Sequence, residues 1–127
     1  MLNAMLDDHR EIRSLSAALR DLLAENGMPI GHWLASTRWQ LTRQLLRHIA
    51  IENTIVGKAL VDGFERRYRD HVAKWTPDRI DTEWSAYCGE TRSILDALER
   101  KMLREEREFY HPRLRTDRPA PAVAAVA

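Results

Sequence analysis

The chain has 127 residues, which is long enough for one domain with a single hydrophobic core and gives no sign of a second. Its 20 basic residues nearly balance 19 acidic ones, and the two signs are interspersed along the sequence. Neither nucleic acid nor an anionic membrane is therefore expected as a partner, because both would require a clear excess of positive charge.

Cysteine usage and hydropathy indicate the compartment. Cys88 is the lone cysteine, which excludes an intramolecular disulfide and a cysteine-based zinc site and fits a reducing environment. No apolar run approaches the ~18 residues of a membrane span. Met1 to Leu6 lead directly into Asp7 and Asp8, without the pattern of a signal peptide. A soluble, cytoplasmic protein is expected.

The first predicted element is an amphipathic helix that ends near Ala24. Its apolar residues recur at steps of three and four: Met5, Ile12, Leu15, Leu19, Leu22 and Leu23. His9 lies within the same apolar stripe. A run rich in turn formers follows at 25–31, so a second helix is predicted from near His32 to about Gly63.

The second predicted helix carries a histidine and a carboxylate on one apolar face. His48 and Glu52 are four residues apart, so they stand above one another on the face that also carries Leu41 and Leu45. A buried imidazole and a buried carboxylate cost free energy unless something satisfies them. A metal ion or a complementary polar cluster is therefore expected beside this pair.

The third predicted helix begins near Phe64 and places His71 in an apolar stripe with Tyr68 and Trp75. Pro77 removes a backbone donor and clashes with the preceding turn, so it must either kink or end this helix. The apolar residues of the last predicted helix keep helical spacing up to the proline that ends it. We expect that helix to end at Pro112, and the Pro- and Ala-rich residues 113–127 to form a mobile tail outside the domain at 1–112.

The interpretation of Pro77 decides where His71 lies. His9 and His48 are equally far from the first turn, and the second half of the chain repeats this geometry if it turns near Gly89. We therefore favour a kink at Pro77, which makes His71 level with Glu105. A sharp reversal at Pro77 is the alternative, and it would remove His71 from that level.

The two halves of the chain share a local pattern. Each has an aspartate followed by a histidine, and then a pair of residues at i and i+4 that ends in glutamate. In order, these are Asp8-His9 and Asp70-His71, then His48 with Glu52 and Lys101 with Glu105. The pattern resembles the hemerythrin family, in its bacterial form built from two repeats of a histidine followed by a His-x-x-x-Glu pair.

This resemblance implies an all-α, up-down antiparallel four-helix bundle around a non-haem di-iron centre. Carried over residue by residue, it makes His9, His48 and His71 terminal ligands and Glu52 and Glu105 bridging carboxylates. It also implies a protein that binds or senses dioxygen, nitric oxide or peroxide, and is not an enzyme.

Lys101 departs from the family pattern, because an ammonium group cannot coordinate a metal unless it loses a proton. One iron would keep His9 and His48 together with both bridging carboxylates. The other would keep only His71 beside the same bridging carboxylates and would need a further ligand. Candidates for that ligand are water, Tyr68 and Glu106. A mononuclear centre, or none, is therefore an expectation beside the di-iron centre.

A metal-free interpretation is also open. Lys101 could pair with Glu105 or reach Glu52, which would form a buried ion-pair cluster. The chain would then be a degenerate bundle that acts as an interaction or regulatory module, with a second copy or a signalling protein as partner. A ferritin-like di-iron enzyme is less favoured, because its Glu-x-x-His pairs are missing.

Four tryptophans are numerous for a chain of this length. We interpret them as core and rim residues near the ends of the bundle. The alternative is that Trp33, Trp39 and Trp84 form an exposed aromatic patch that binds a partner.

Overall fold

The computed structural model describes residues 2–29, 31–56 and 63–112, and all regular structure within these ranges is helical. In chain order the helices are α1 (Leu2–Leu23), α2 (Trp33–Val56), α3 (Phe64–Lys74), α4 (Pro77–Thr82) and α5 (Trp84–Glu105), and α5 continues as a π-helical segment (Glu106–Tyr110). The expectation of an all-α protein is thus confirmed. None of the described helices is long and apolar enough to cross a membrane. The predicted tail at 113–127 lies outside the described residues.

The first two helices follow from the periodicity of their apolar residues. Residues spaced by four or seven positions along α1 and α2 are buried and form one side of the core: Met5, Ile12, Leu19, Leu23, Leu34, Leu41, Leu45 and Ile49. The turn between the helices contains Gly31, whose φ of 90° is a left-handed conformation that glycine adopts without strain. The predicted hairpin turn is therefore present.

Pro77 ends a helical element instead of kinking it, so the prediction of a kink followed by a turn near Gly89 is wrong. The α3 helix stops at Lys74, and Thr76 takes an extended conformation because a residue before proline is excluded from the helical region. The Thr76 side chain accepts a hydrogen bond from the backbone N–H of Arg79, and Pro77 occupies the first turn of α4. Gly89 lies inside α5.

The reversal at α4 determines which residues of α5 lie beside each residue of α3. Arg67 donates to Ser93, and His71 lies beside Glu90, so α3 and α5 run antiparallel about a turn near residue 80. Glu105 lies 15 residues further along the same helix, about 22 Å away at 1.5 Å per residue. The prediction that His71 faces Glu105 is therefore wrong.

Each of the four longer helices contacts at least two others. Side-chain pairs join α1 to α5 (Arg13 with Glu99, Arg20 with Asp96) and α2 to α3 (Thr42 with Tyr68, Arg38 with the Trp75 carbonyl). In each pair of helices, residue numbers rise on one as they fall on the other, which makes the pairing antiparallel. The same holds for α1 with α2 and for α3 with α5.

Glu90 fastens α3 to α5. Its carboxylate accepts hydrogen bonds from His71 Nδ1 at 2.8 Å, from Lys74 Nζ at 2.7 Å and from the Trp75 indole N–H. Burial would raise the pKa of Glu90, but the hydrogen bonds from Lys74, Trp75 and His71 outweigh it and lower the pKa from 4.5 to about 2. The carboxylate therefore stays charged in the folded protein.

We expect Glu90→Gln to lower the free energy of unfolding by about 1–3 kcal/mol, because hydrogen bonds to an ionised group are lost. Since the pKa of Glu90 is lower in the folded state, its contribution is present above pH 4.5 and is lost as the pH falls toward about 2. Urea unfolding at several pH values measures this. The difference between wild type and variant should shrink with acidification.

Glu83→Gln is the matched control, because Glu83 pairs with Arg79 at the surface and both side chains are 45% exposed. An exposed pair of this kind contributes roughly 0–1 kcal/mol. Equal effects of the two substitutions would contradict the role assigned to Glu90.

Candidate metal centre

Four buried side chains from three helices meet at one level of the protein. His9 comes from α1, His48 and Glu52 from α2, and Glu105 from α5. Each offers one ligand atom, and these atoms all lie within 4.8 Å of one another. None of the four residues is more than 2% exposed. The structure thus brings together four of the five predicted ligands in a group that could hold a metal ion.

His71, the fifth predicted ligand, lies elsewhere. Its Nδ1 donates to Glu90, and its Nε2 is 3.4 Å from the hydroxyl of Thr91. Burial lowers the pKa of His71 although Glu90 opposes this effect, so the neutral imidazole is favoured. Because the chain reverses at Pro77, this histidine is part of the contact between α3 and α5 and not of the metal-binding group.

The inner nitrogens of the two site histidines point at each other. His9 Nε2 and His48 Nε2 are 3.0 Å apart. His48 Nε2 is also 3.2 Å from Glu52 Oε2, and His9 Nε2 is 3.4 Å from Glu105 Oε1. Two nitrogens and two carboxylate oxygens therefore converge on one small volume.

The outer nitrogens of the same histidines each meet a carboxylate. His9 Nδ1 donates to Glu106 at 2.7 Å, and His48 Nδ1 donates to Asp8 at 3.1 Å. A carboxylate accepts, so each Nδ1 carries a hydrogen, and a neutral ring then presents an Nε2 lone pair to the interior. Histidines that bind metals almost always donate this outer N–H to a carboxylate, a backbone carbonyl or a water molecule. Glu106, which the sequence offered as a ligand, instead orients His9.

A cation is required between these two lone pairs. Two Nε2 lone pairs at 3.0 Å would repel each other, so either a proton or a metal ion has to lie between them. Burial would lower the pKa of His48, but hydrogen bonds to Glu52 and Asp8 outweigh this and raise it. In the metal-free protein a proton takes the position, and a metal ion would have to displace it.

Lys101 occupies the opposite side of the two glutamates. Its ammonium group hydrogen-bonds to Glu105 Oε2 and lies 3.5 Å from Glu52 Oε1. The predicted contacts of Lys101 with both glutamates are therefore present. Each carboxylate directs one oxygen to the histidines and the other to the ammonium group.

Tyr110 also belongs to this cluster, although sequence periodicity did not identify it. The residue is fully buried, its hydroxyl donates to Glu52 Oε2, and its ring centroid is 5.3 Å from that of His9. The π-helical segment spaces its hydrogen bonds one residue further than an α-helix does, and it carries Tyr110 into the core. The sequence contains no periodic signal for this change.

The electrostatics of the glutamates suit a cation. Burial would raise the pKa of Glu52, but hydrogen bonds from His48 and Tyr110 and the charge of Lys101 outweigh it and lower the pKa to about 2. For Tyr110, burial and the adjacent Glu52 raise the pKa, so the phenol keeps its proton and donates it in a hydrogen bond. Glu52 is therefore ionised, and Tyr110 donates to it as a neutral phenol.

The donor set of two imidazoles and two carboxylates fits iron(II), manganese(II) or zinc(II). Four residues outside the donor set hold these side chains in place, since each of them contacts at least one of the four: Asp8, Glu106, Lys101 and Tyr110.

Comparison of the chain with protein-family models, with curated proteins and with solved structures finds no match.

Proposed function

We propose that this chain is a hemerythrin-like metal-binding protein whose core holds a single metal ion on His9, His48, Glu52 and Glu105. The proposed architecture is an up-down four-helix bundle of α1, α2, α3 and α5, with α4 as part of the connection between the last two. The antiparallel contacts of each long helix with two others support it. Iron is the proposed metal, in keeping with the sequence resemblance and with the mixed imidazole and carboxylate donors.

One observation carries the metal proposal. Both site histidines have their Nδ1 atoms hydrogen-bonded to carboxylates, while their Nε2 atoms approach to 3.0 Å. In the metal-free protein one shared proton can hold these two Nε2 atoms together, and a metal ion would replace that proton with a bond to each ring. Metal ligation explains both the inward Nε2 atoms and the outer carboxylates Asp8 and Glu106.

Lys101 supports one metal ion instead of two. In a di-iron centre, two carboxylates bridge a pair of cations. Here Glu52 and Glu105 each direct one oxygen to the histidines and the other to the Lys101 ammonium group. The lysine thus supplies the second positive charge, and the remote position of His71 removes the terminal ligand that a second iron would need.

The proposed role is binding or sensing of dioxygen, nitric oxide or peroxide, not catalysis. Bound iron would supply an open coordination position for such a small ligand. The protein residues fix the donors and exclude water, because the four proposed ligands are at most 2% exposed and Tyr110 covers them from the π-helical segment. A second copy or a signalling protein is the proposed recipient of the response.

Metal analysis tests the proposal. We expect protein purified without an affinity tag and reconstituted with ferrous iron under anaerobic conditions to retain about one equivalent. Parallel loading with manganese and zinc identifies the preferred metal. Retention of less than about a tenth of an equivalent of any of these ions would contradict a metal site, because a braced four-donor site binds tightly.

The metal-free bundle is the second candidate, and one observation favours it. Lys101 and Tyr110 already satisfy both carboxylates, so the buried cluster is closed without any metal ion. In that case chelators should leave the thermal midpoint unchanged, and iron should fail to shift it at any concentration. A rise in the midpoint with iron concentration favours the metal centre.

A further inference from the structure

A groove on the outside of the protein lies between α2 and the junction of α3 with α4. Its volume is about 510 Å³, within the range of small-molecule sites. None of the four proposed metal ligands lines it. It is therefore a second concave site, independent of the metal centre.

The groove has an apolar bed and an aromatic wall. Trp75 is 2% exposed, and Leu46 and Val72 are partly buried hydrophobic residues packed on the core, so these three form a preformed apolar surface. Trp39 stands at the edge of the groove and is 60% exposed. Because Trp39 is not part of the core, its ring can pack against a ligand without giving up any core contact.

The charge of the groove is positive. Arg38 and Arg43 line it, and no carboxylate does so among the described residues. Arg43 holds its guanidinium group 5.3 Å from the centroid of the Trp39 ring, and Arg38 donates to the Trp75 carbonyl. Within the described part of the chain neither arginine has an acidic partner, whereas Arg13 and other surface arginines do.

We propose that this groove binds a small organic carboxylate with an aromatic or branched apolar body. The guanidinium group of Arg43, which lies over the Trp39 ring, is suited to a bidentate contact with the carboxylate. The apolar body would lie between the Trp39 ring and the bed formed by Leu46, Val72 and Trp75. Both features of the ligand are complementary to features of the groove.

Naphthoate and its uncharged analogue naphthamide are suitable probes, because they share one apolar body and differ in charge. We expect naphthoate to bind in a one-to-one complex by titration calorimetry and to bind at least about tenfold more tightly than naphthamide. In nuclear magnetic resonance spectra, the indole N–H signals of Trp39 and Trp75 should shift while that of Trp33 stays in place.

Two matched pairs of variants locate the site. Arg43→Gln should weaken naphthoate binding about tenfold, whereas Arg47→Gln, one turn further along α2 and outside the groove, should not. Trp39→Ala should weaken both probes, whereas Trp33→Ala should not, although Trp33 is 65% exposed. All four side chains are exposed, so the variants are expected to fold.

Three results would overturn this inference. Equal affinity for the two probes would mean that the arginines do not recognise the carboxylate. Full binding by Arg43→Gln and Trp39→Ala would place the probe elsewhere. A concentration-dependent dimer in sedimentation experiments that disappears in Trp39→Ala would assign the groove to a second copy of the chain.

Discussion

His48→Gln is expected to lower iron affinity by at least about a hundredfold, since even the loss of an outer partner of a metal-bound histidine costs 10–100-fold. His48 presents its Nε2 atom to His9 and Glu52, and glutamine cannot reproduce a neutral nitrogen donor in that position. Iron content after reconstitution and competition with a chelator of known affinity measure the change.

Two other histidines serve as matched controls for this variant. His71→Gln should retain iron, because His71 is bonded to Glu90 and Thr91 about 22 Å from the level of Glu105. His32→Gln should also retain iron, since that histidine is exposed and stacks on Trp33. Iron loss in His71→Gln and retention in His48→Gln would reverse the assignment of the site.

Lys101→Met should destabilise the metal-free protein by about 3–5 kcal/mol, because it leaves two buried carboxylates without their shared cation. Glu52 and Glu105 are each 1% exposed, so water cannot replace the ammonium group without opening the core. Chemical denaturation in the presence of a chelator measures the loss. Ferrous iron or zinc should restore part of the stability, since a divalent ion neutralises the same carboxylates.

Lys74→Met is the control for this substitution. Lys74 pairs with Glu90, but its side chain is 43% exposed and the pair is solvated, so a loss of roughly 0–1 kcal/mol is expected. A small effect of Lys101→Met, or one that metal ions do not reverse, would mean that the carboxylates are satisfied in another way.

Local spacing was sufficient to predict three of the four residues of the site. His48 and Glu52 share a helix face at i and i+4, and the hairpin turn at 25–31 fixed the level of His9 without knowledge of the rest of the fold. These relations depend only on helix geometry, which the sequence pattern states directly. Glu105 was predicted from the family resemblance, and the geometric support for it, His71 at the same level, is wrong.

The remaining features depend on choices that spacing leaves open. Pro77 is compatible both with a kink inside one helix and with the first turn of a new helix. The structure has the new helix, with Thr76 as its N-cap. The π-helical segment brings Tyr110 into the core, because its hydrogen bonds span one residue more than those of an α-helix. Asp8 and Glu106 were visible in the sequence, but their roles required the orientation of two imidazole rings.

The position of Lys101 would separate folding of the chain from binding of the proposed metal ion, two events that are often simultaneous in metalloproteins. Because its ammonium group is covalently attached and always present, the glutamates have a positive neighbour from the moment α2 and α5 pack together. The polypeptide can therefore complete its core without a metal ion. The proposed ion would bind afterwards, to a chain that is already folded, so supply of the ion would limit loading of the site and not folding.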